Sequence, residues 1–454
     1  MLGMGVLRTW AGASPHPTVR NYTNTFLRFV KVCVIIVIMD MKRIIIIGGG
    51  AAGMTAAVSA AQDGAGVVLL EKNSRLGAKI LITGGGRCNV TNTADAADMI
   101  QMTLRNPHFL YSALYGLDSA ALVEKLGQMG LATKVEDSGR VFPQSDSAAD
   151  VVEAFVRRLR QLRVDVRLNS AVAGIVRVDA GFEIQLMSGE TIRADAVIVA
   201  TGGLCAPHTG SDGDGYAFAK GLGHGVTKLY PSLVPVNASV GADLMGLGLD
   251  DVGLCVRLGA GGEIAYSGRG GLMFTHFGLS GPVVITATAY LAEKLQPQFQ
   301  PEFVLDFAPN FTENELDKHV VSILARNSNK SVVNALSADN FLPQRLAAAL
   351  VAHAGLDGEV RASSVSKIQR GALCTAIKGY CVKVGGTAGF GNAVITCGGV
   401  RVNEVDPSTM QSRLVPQLFF AGEVLDVDAL TGGYNLHIAF ATGWLAGESA
   451  GGLG

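Results

Sequence analysis

The residues most able to do chemistry begin at Gly48-Gly49-Gly50-Ala51-Ala52-Gly53, directly after the apolar run Ile44 to Ile47. Small, helix-favouring residues follow, and a second apolar run, Val67 to Leu70, ends in Glu71. The order is strand, G-x-G-x-x-G, helix, strand, acidic residue, the arrangement that binds a dinucleotide. Gly48 allows the tight turn, Gly50 lets backbone approach a pyrophosphate, and Gly53 lets helix and strand pack closely. The helix N-terminus offers free N–H groups and the positive end of its dipole to phosphate. Glu71 lies 23 positions after Gly48, where a carboxylate accepts hydrogen bonds from a ribose. A G-x-G-x-x-G alone is a weak signal in a chain with 58 glycines. The strand–helix–strand context favours dinucleotide binding over a ligand-free glycine turn.

Three further blocks carry candidate chemistry. In Thr83-Gly84-Gly85-Gly86-Arg87-Cys88-Asn89, three glycines let backbone approach a flat ring and Arg87 supplies a fixed positive charge. Cys88 reads either as a redox residue or as a small buried packing residue. No cysteine stands near it in sequence, so packing is favoured. Phe420-Ala421-Gly422-Glu423 ends a strand on a carboxylate, and Gly432-Gly433-Tyr434-Asn435 opens a final helix. The apolar strand Ala196 to Ala200, running into Thr201-Gly202-Gly203, reads as a second cofactor-facing turn.

Composition bounds the classes. At 454 residues the chain has room for two or three domains, and 48% apolar with 17% charged residues fits a globular protein with large cores. A net charge of −1 without a long basic run points away from nucleic acid as a partner. Seven scattered cysteines with no C-x-x-C argue against a dithiol centre or zinc site, so no metal is expected, and the pattern fits a reducing cytoplasm. The apolar run Val32 to Met39 is too short to span a bilayer, and no stable membrane association is expected. It follows Arg8, Arg20, Arg28 and Lys31 like a signal peptide, yet lacks a small-residue cleavage site and abuts the first strand. Residues 1–40 therefore read as an N-terminal extension, disordered or not physiological, with Met39 or Met41 as the initiator.

Further elements must position these blocks. Ala94 to Leu131 has apolar residues at helical spacing, Asp137 to Pro143 reads as a turn, and Ala148 to Leu162 as a helix. Val164–Leu168, Gly174–Val178 and Phe182–Leu186 read as a β-meander. Pro231 to Pro235 marks a boundary, beyond which short glycine-rich strands precede a helical stretch, Phe311 to Leu356, opened by a capping box of Thr312 and Glu315. Strand signals return at Tyr380 to Val384 and lead through Ala393–Gly399 to Gln417–Glu423. The class is α/β: a discontinuous Rossmann-type domain, 41–231 and 393–454, with an inserted domain, 232–392, helical over about 311–358.

Gly84 to Asn92, Phe274-Thr-His-Phe-Gly-Leu-Ser-Gly-Pro282 and Phe420 to Asp428 with Thr431 to Asn435 resemble the BaiN-like bacterial flavoproteins. That family includes aminoacetone oxidase and 3-dehydro-bile acid Δ4,6-reductases, and the resemblance spans nearly everything from Met41 onwards. It implies FAD as cofactor, a two-dinucleotide-binding-type flavin domain, and an insert made of a small β-barrel and a helical subdomain. The residues it implies around FAD are Gly48, Gly50, Ala51, Ala52, Gly53 and Glu71, then Lys72, Lys79, Thr83, Gly85, Gly86, Arg87, Cys88 and Asn89. Val172 is expected at adenine, and Thr201, Gly202, Gly422, Glu423, Gly433, Tyr434 and Asn435 complete the set. Lys72 reads equally as an adenine or phosphate contact and as a solvated surface lysine. His276 is a candidate for the substrate side of the flavin, where an imidazole can move the proton that accompanies hydride transfer; it reads equally as a histidine bonding a loop backbone. Arg87 and Tyr434 join it as candidate catalytic residues, with Arg269 a weaker one. Two departures stand out: His437 where the family usually has Gln, and Cys205 where Ser is expected.

The function expected is an FAD-dependent oxidoreductase moving hydride through flavin N5 and acting on a small molecule. One form is a reductase of a conjugated carbonyl compound driven by NADH or NADPH. The other is an O₂-using oxidase of a small amine such as an aminoketone. No second complete nucleotide fingerprint is present, so a nicotinamide would bind transiently at the flavin face. A non-catalytic flavin-binding redox sensor is the reading from another class, and a flavin-dependent tRNA methyltransferase would need a basic RNA surface that the composition lacks.

Overall fold

The computed structural model describes residues 41–259 and 262–452; the N-terminal extension lies outside them. Strand β1 (Arg43–Ile47) is followed by helix α1 (Ala51–Gln62) and strand β2 (Gly66–Leu70). Helix α2 (Ala148–Gln161) precedes β3 (Asp165–Arg167), and β4 (Ala196–Val199) follows. With Leu418–Phe420 these strands form a five-stranded sheet, ordered Leu418–Phe420, β4, β1, β2, β3. Every pairing is parallel. Ile44 to Ile47 sit between Val67–Leu70 and Ala196–Val199, all buried. This is why these runs are continuously apolar, since a parallel strand is covered on both faces.

The β-meander differs in one strand from its sequence reading. Val164–Leu168 does not begin it: residues 165–167 leave α2 and pair parallel with β2, completing a crossover onto the main sheet. The meander is Val172–Val178, Gly181–Leu186 and Thr191–Ala194. The turn read at Asp137–Pro143 is partly a strand. Arg140–Pro143 pairs with Thr91–Asn92 and Thr133–Val135 in a small sheet over the flank of the cavity described below.

Between Val236 and Thr387 six antiparallel strands close into a barrel. Its core holds Val252, Leu254, Val256, Phe274, Phe303 and Leu305, continuous with helices Glu313–Arg326, Val332–Leu336, Gln344–His353 and Lys367–Lys378. The capping box at Thr312 and Glu315 is formed in both directions. Helix α3 (Pro282–Tyr290) packs into the barrel core, and its first residue lines the cavity. The chain enters and leaves this region through Tyr230–Ser232 and Ile395–Cys397, which pair antiparallel.

The last helix, α4 (Tyr434–Gly451), packs directly on α1. Small residues make this close approach possible. A Cβ on Gly443 would lie 2.3 Å from the Ala52 carbonyl oxygen, and one on Gly447 would lie 2.3 Å from that of Ala56. The two helices therefore run parallel but staggered, with the first turns of α4 extending past the start of α1.

Candidate functional site

The ends of β1, β2 and β4, the loop over residues 83–89 and the start of α4 surround a cavity of about 800 Å³. The glycines of the fingerprint divide their work. Gly48 has φ +105°, and a Cβ there would lie 2.5 Å from the Ala200 carbonyl oxygen. A Cβ on Gly53 would lie 1.8 Å from the Gly48 carbonyl oxygen, so Gly53 is a packing residue behind the cavity. A Cβ on Gly50 would meet nothing within 4 Å. Gly50 also caps α1 with no side-chain hydrogen bond. Backbone N–H groups at that helix end, beside Ala51 and Ala52, therefore open onto the cavity.

Glu71 is 7% exposed at the end of β2. Its carboxylate accepts from Gly49 N–H at 2.7 Å and Asn73 N–H at 2.8 Å, which fixes it at the cavity wall. Lys72 is paired with Asp212 at 2.5 Å and Asp214 at 2.6 Å. Lys79 is paired with Glu423 at 2.5 Å. The other Glu423 oxygen accepts from the Thr396 N–H at 3.0 Å and hydroxyl at 2.9 Å. Val172, Gly202 and Gly422 line the wall with them.

The 83–89 loop turns through four positive φ angles, Gly84 to Gly86 and Cys88. That geometry sends Thr83, Gly84, Arg87 and Asn89 to the cavity, while Gly85 and Gly86 stand away from it. Gly84, not the two glycines after it, is the one that lines the cavity. Cys88 is fully buried behind the loop, and burial pushes its thiol up to about 11, so it is a packing residue there. Arg87 is anchored by Glu136 and by Asp146 at 2.9 Å, with its guanidinium 4.3 Å from the Phe142 ring centre. These hydrogen bonds keep it charged far above any ordinary pH.

At the opposite wall Gly433 caps α4 with φ +98° and no side-chain bond. Tyr434 lines the cavity, and burial raises its phenol above the usual value. Asn435 also lines it, while its side chain ties the preceding loop by accepting from Ala429 N–H at 2.8 Å and donating to the Ala429 carbonyl at 2.6 Å. Two cavity-wall residues hold buried oxygens with no hydrogen-bond partner among the described residues, Asn89 Oδ1 and Thr201 Oγ1.

His276 is not part of this site. It is exposed on the barrel, with its ring against Phe277 at 4.9 Å, because the strand containing Phe274 ends before the loop that carries it. Arg269 is likewise on the barrel surface, bound to Asp251 and Asn310. His437 lies inside rather than at the cavity: its Nε2–H donates to the Leu117 carbonyl at 2.9 Å and its Nδ1 accepts from the Thr91 hydroxyl at 2.7 Å. Cys205 is buried, with its Sγ 3.3 Å from the Thr396 hydroxyl oxygen. Sequence reasoning missed Asn92, Ser138, Arg140 and Phe142 at the lip, and the apolar floor of Leu233, Pro282, Val394, Ile395 and Leu430. The run Gly139-Arg-Val-Phe-Pro143 held a signal for the lip: alternating residues in a strand send Arg140 and Phe142 to one side.

A fingerprint at a parallel sheet, a second helix N-terminus opposite it and a carboxylate fixed at the end of β2 are the marks of a dinucleotide-binding domain. The HI0933-like protein Rossmann domain matches residues 42–449. The chain is 34% identical over 417 residues to the 3-dehydro-bile acid delta(4,6)-reductase of Clostridium scindens, covering 90% of this chain and 99% of that one. It is 33% identical over 406 residues to the ribosomal RNA dihydrouridine synthase of Escherichia coli, covering 87% and 94%. Among solved structures, a 3-ketosteroid-delta4-(5alpha)-dehydrogenase from Rhodococcus jostii aligns with a TM-score of 0.49 at 17% identity, covering 91% of this chain and 97% of that one. The chain belongs to the HI0933-like family of FAD-dependent oxidoreductases.

The site fits that cofactor. Two uncapped helix N-termini, an open Gly50 and a fixed Glu71 supply the donors and acceptors that a pyrophosphate, a ribose and a flavin edge need.

Proposed function

We propose that this enzyme saturates a carbon–carbon double bond conjugated to a carbonyl, with NADH or NADPH as the electron donor. The observation that carries the reading is the coincidence of bond type in the names of two relatives at 34% and 33% identity. A Δ4,6-3-oxo steroid and a uracil ring each hold an alkene conjugated to a carbonyl, and dihydrouridine is the saturated form of the second. Bound FAD supplies hydride donation and acceptance at N5. The chain's own residues do the rest. The α4 N-terminus at Gly433 favours negative charge at its end of the cavity. The apolar floor of Leu233, Ile395 and Leu430 excludes water beneath a flat acceptor. Tyr434, kept protonated by burial, is the group in the cavity able to give the proton to the carbon beside the carbonyl.

The acceptor we favour is a free small molecule, because the net charge of −1 offers little to an RNA backbone. The similarity to ribosomal RNA dihydrouridine synthases favours uracil in RNA as the second reading, so charge alone does not remove nucleic acid from the field. Anaerobic stopped-flow mixing of FAD-loaded protein decides between them. Flavin bleaching by a nicotinamide, then recovery with a steroid enone, supports the first; recovery only with unmodified ribosomal RNA supports the second. Bleaching only by an aminoketone, with fast recovery in air, would establish the oxidase alternative. Tyr434→Phe is expected to slow acceptor reduction by roughly 100-fold or more while FAD content holds; an unchanged rate would remove Tyr434 from the proton step.

A further inference from the structure

Four cationic side chains line the cavity, Lys72, Lys79, Arg87 and Arg140. Three are spent on carboxylates: Lys72 on Asp212 and Asp214, Lys79 on Glu423, and Arg87 on Glu136 and Asp146. Arg140 makes no ion pair with any carboxylate among the described residues. Among the described residues its guanidinium makes one hydrogen bond, a long one of 3.4 Å from Nε to the Asp137 carbonyl. The contrast is local, because Arg87 and Arg140 share one ring: their guanidinium carbons stand 4.3 and 5.9 Å from the Phe142 centre. The lip cluster of Arg87, Lys134, Glu136 and Asp146 balances to zero, so Arg140 leaves it with one net positive charge facing the cavity.

Position separates this charge from the cofactor's phosphates. Arg140 pairs in strand register with Asn92, whose amide donates to the Ser138 carbonyl at 3.0 Å and the Gly432 carbonyl at 3.1 Å. It therefore stands beside the glycine pair that opens α4, whereas the fingerprint and Glu71 hold the wall at the ends of β1 and β2. We propose that Arg140 is a specificity residue that receives an anionic group, carboxylate or phosphate oxygens, carried by the substrate next to its reducible conjugated carbonyl. The inference rests on the reductase reading above and names the substrate class within it. A planar guanidinium presents a fork of donors that matches such oxygens. A substrate lying over the apolar floor would strip water from that fork, which strengthens the pair relative to an exposed one.

The test uses the FAD-loaded enzyme and reads binding from the change in flavin absorbance. Three pairs of probes differ by one anionic group: a steroid enone carboxylate and its methyl ester, uridine 5′-monophosphate and uridine, and NADPH and NADH. The expected result is a roughly tenfold preference for the charged member in the first or second pair, lost in R140Q and weakened by added salt in the wild type. The pair that shows it names the source of the anion. A preference confined to NADPH over NADH would overturn the proposal, as would a preference that survives R140Q or is indifferent to salt. Equal binding of charged and neutral members in every pair would overturn it while leaving the reductase reading intact. Binding of no acceptor probe would remove that reading and this inference with it. FAD content of R140Q serves as the folding control, and the salt series in the wild type stands without the variant.

Discussion

Two buried titratable side chains give the molecule opposite responses to pH. His437 is 0% exposed, and burial lowers its imidazole from 6.5 to about 4. The unfolded chain binds that proton first, so the stability tied to neutral His437 is full above 6.5 and is lost as pH falls toward about 4. Asp428 is 1% exposed, and burial raises its carboxyl from 3.8 to about 7, with one oxygen unpartnered among the described residues and the other accepting from Ser232 at 3.1 Å. Here the folded state holds the proton longer, so its contribution is full below 3.8 and is lost as pH rises through about 7. Denaturant unfolding of D428N across this range should show a smaller loss of stability on the alkaline side than the wild type; parallel curves would contradict it. His437→Leu should cost roughly 1–3 kcal/mol by stranding the Leu117 carbonyl and Thr91 hydroxyl. His437→Gln, which keeps a donor and an acceptor, should cost less. The sequence showed His437 only as a departure from the family pattern. Its burial comes from contacts with residues more than three hundred positions away, which no local pattern encodes.

Elements were legible where one physical cause sufficed. β1, β2 and β4 are unbroken apolar runs, and the Thr312–Glu315 capping box marks a helix start by itself. The misreadings came where partners decide. Val164–Leu168 alternates like a meander strand, yet its place at the edge of the main sheet is set by the preceding helix, α2. Arg140–Pro143 carries turn residues before it and was strand only because Thr91–Asn92 and Thr133–Val135 flank it. The α1–α4 contact was equally hidden, since Gly443 and Gly447 look like helix-weakening residues until α1 lies against them. Gly447→Leu should therefore destabilise the protein by several kcal/mol, on the order of other overpacked cores or more. Gly433→Ala meets both a positive φ and a Thr91 carbonyl 2.4 Å from its Cβ. It should lower FAD content sharply by shifting the start of α4, measured as flavin per protein after purification. Full retention of FAD in that variant would contradict the role given to this helix end.

For the whole molecule, the fingerprint side of the cavity was largely readable and its apolar side was not. Glycines, a following helix and an acidic residue are local signals, and Gly50, Glu71, Thr83, Asn89, Glu423 and Tyr434 all meet at one cavity. The apolar floor is assembled from Leu233, Pro282, Val394, Ile395 and Leu430, which lie at the two ends of the barrel region and beside the α4 start. Nothing in their types distinguishes them from core. His276 illustrates the converse: a chemically capable residue in a family-like block that the barrel holds on its outer surface. The reductase reading therefore rests on the geometry of the cavity and on relatives whose names share one bond type. The most direct measurement is a single anaerobic turnover of chemically reduced, FAD-loaded enzyme with a steroid enone, followed by mass analysis of the steroid. The predicted result is flavin reoxidation with a product that has gained two hydrogens across the conjugated double bond. An unchanged steroid and a flavin that stays reduced until air or an unmodified uridine-containing RNA is added would contradict the small-molecule reductase.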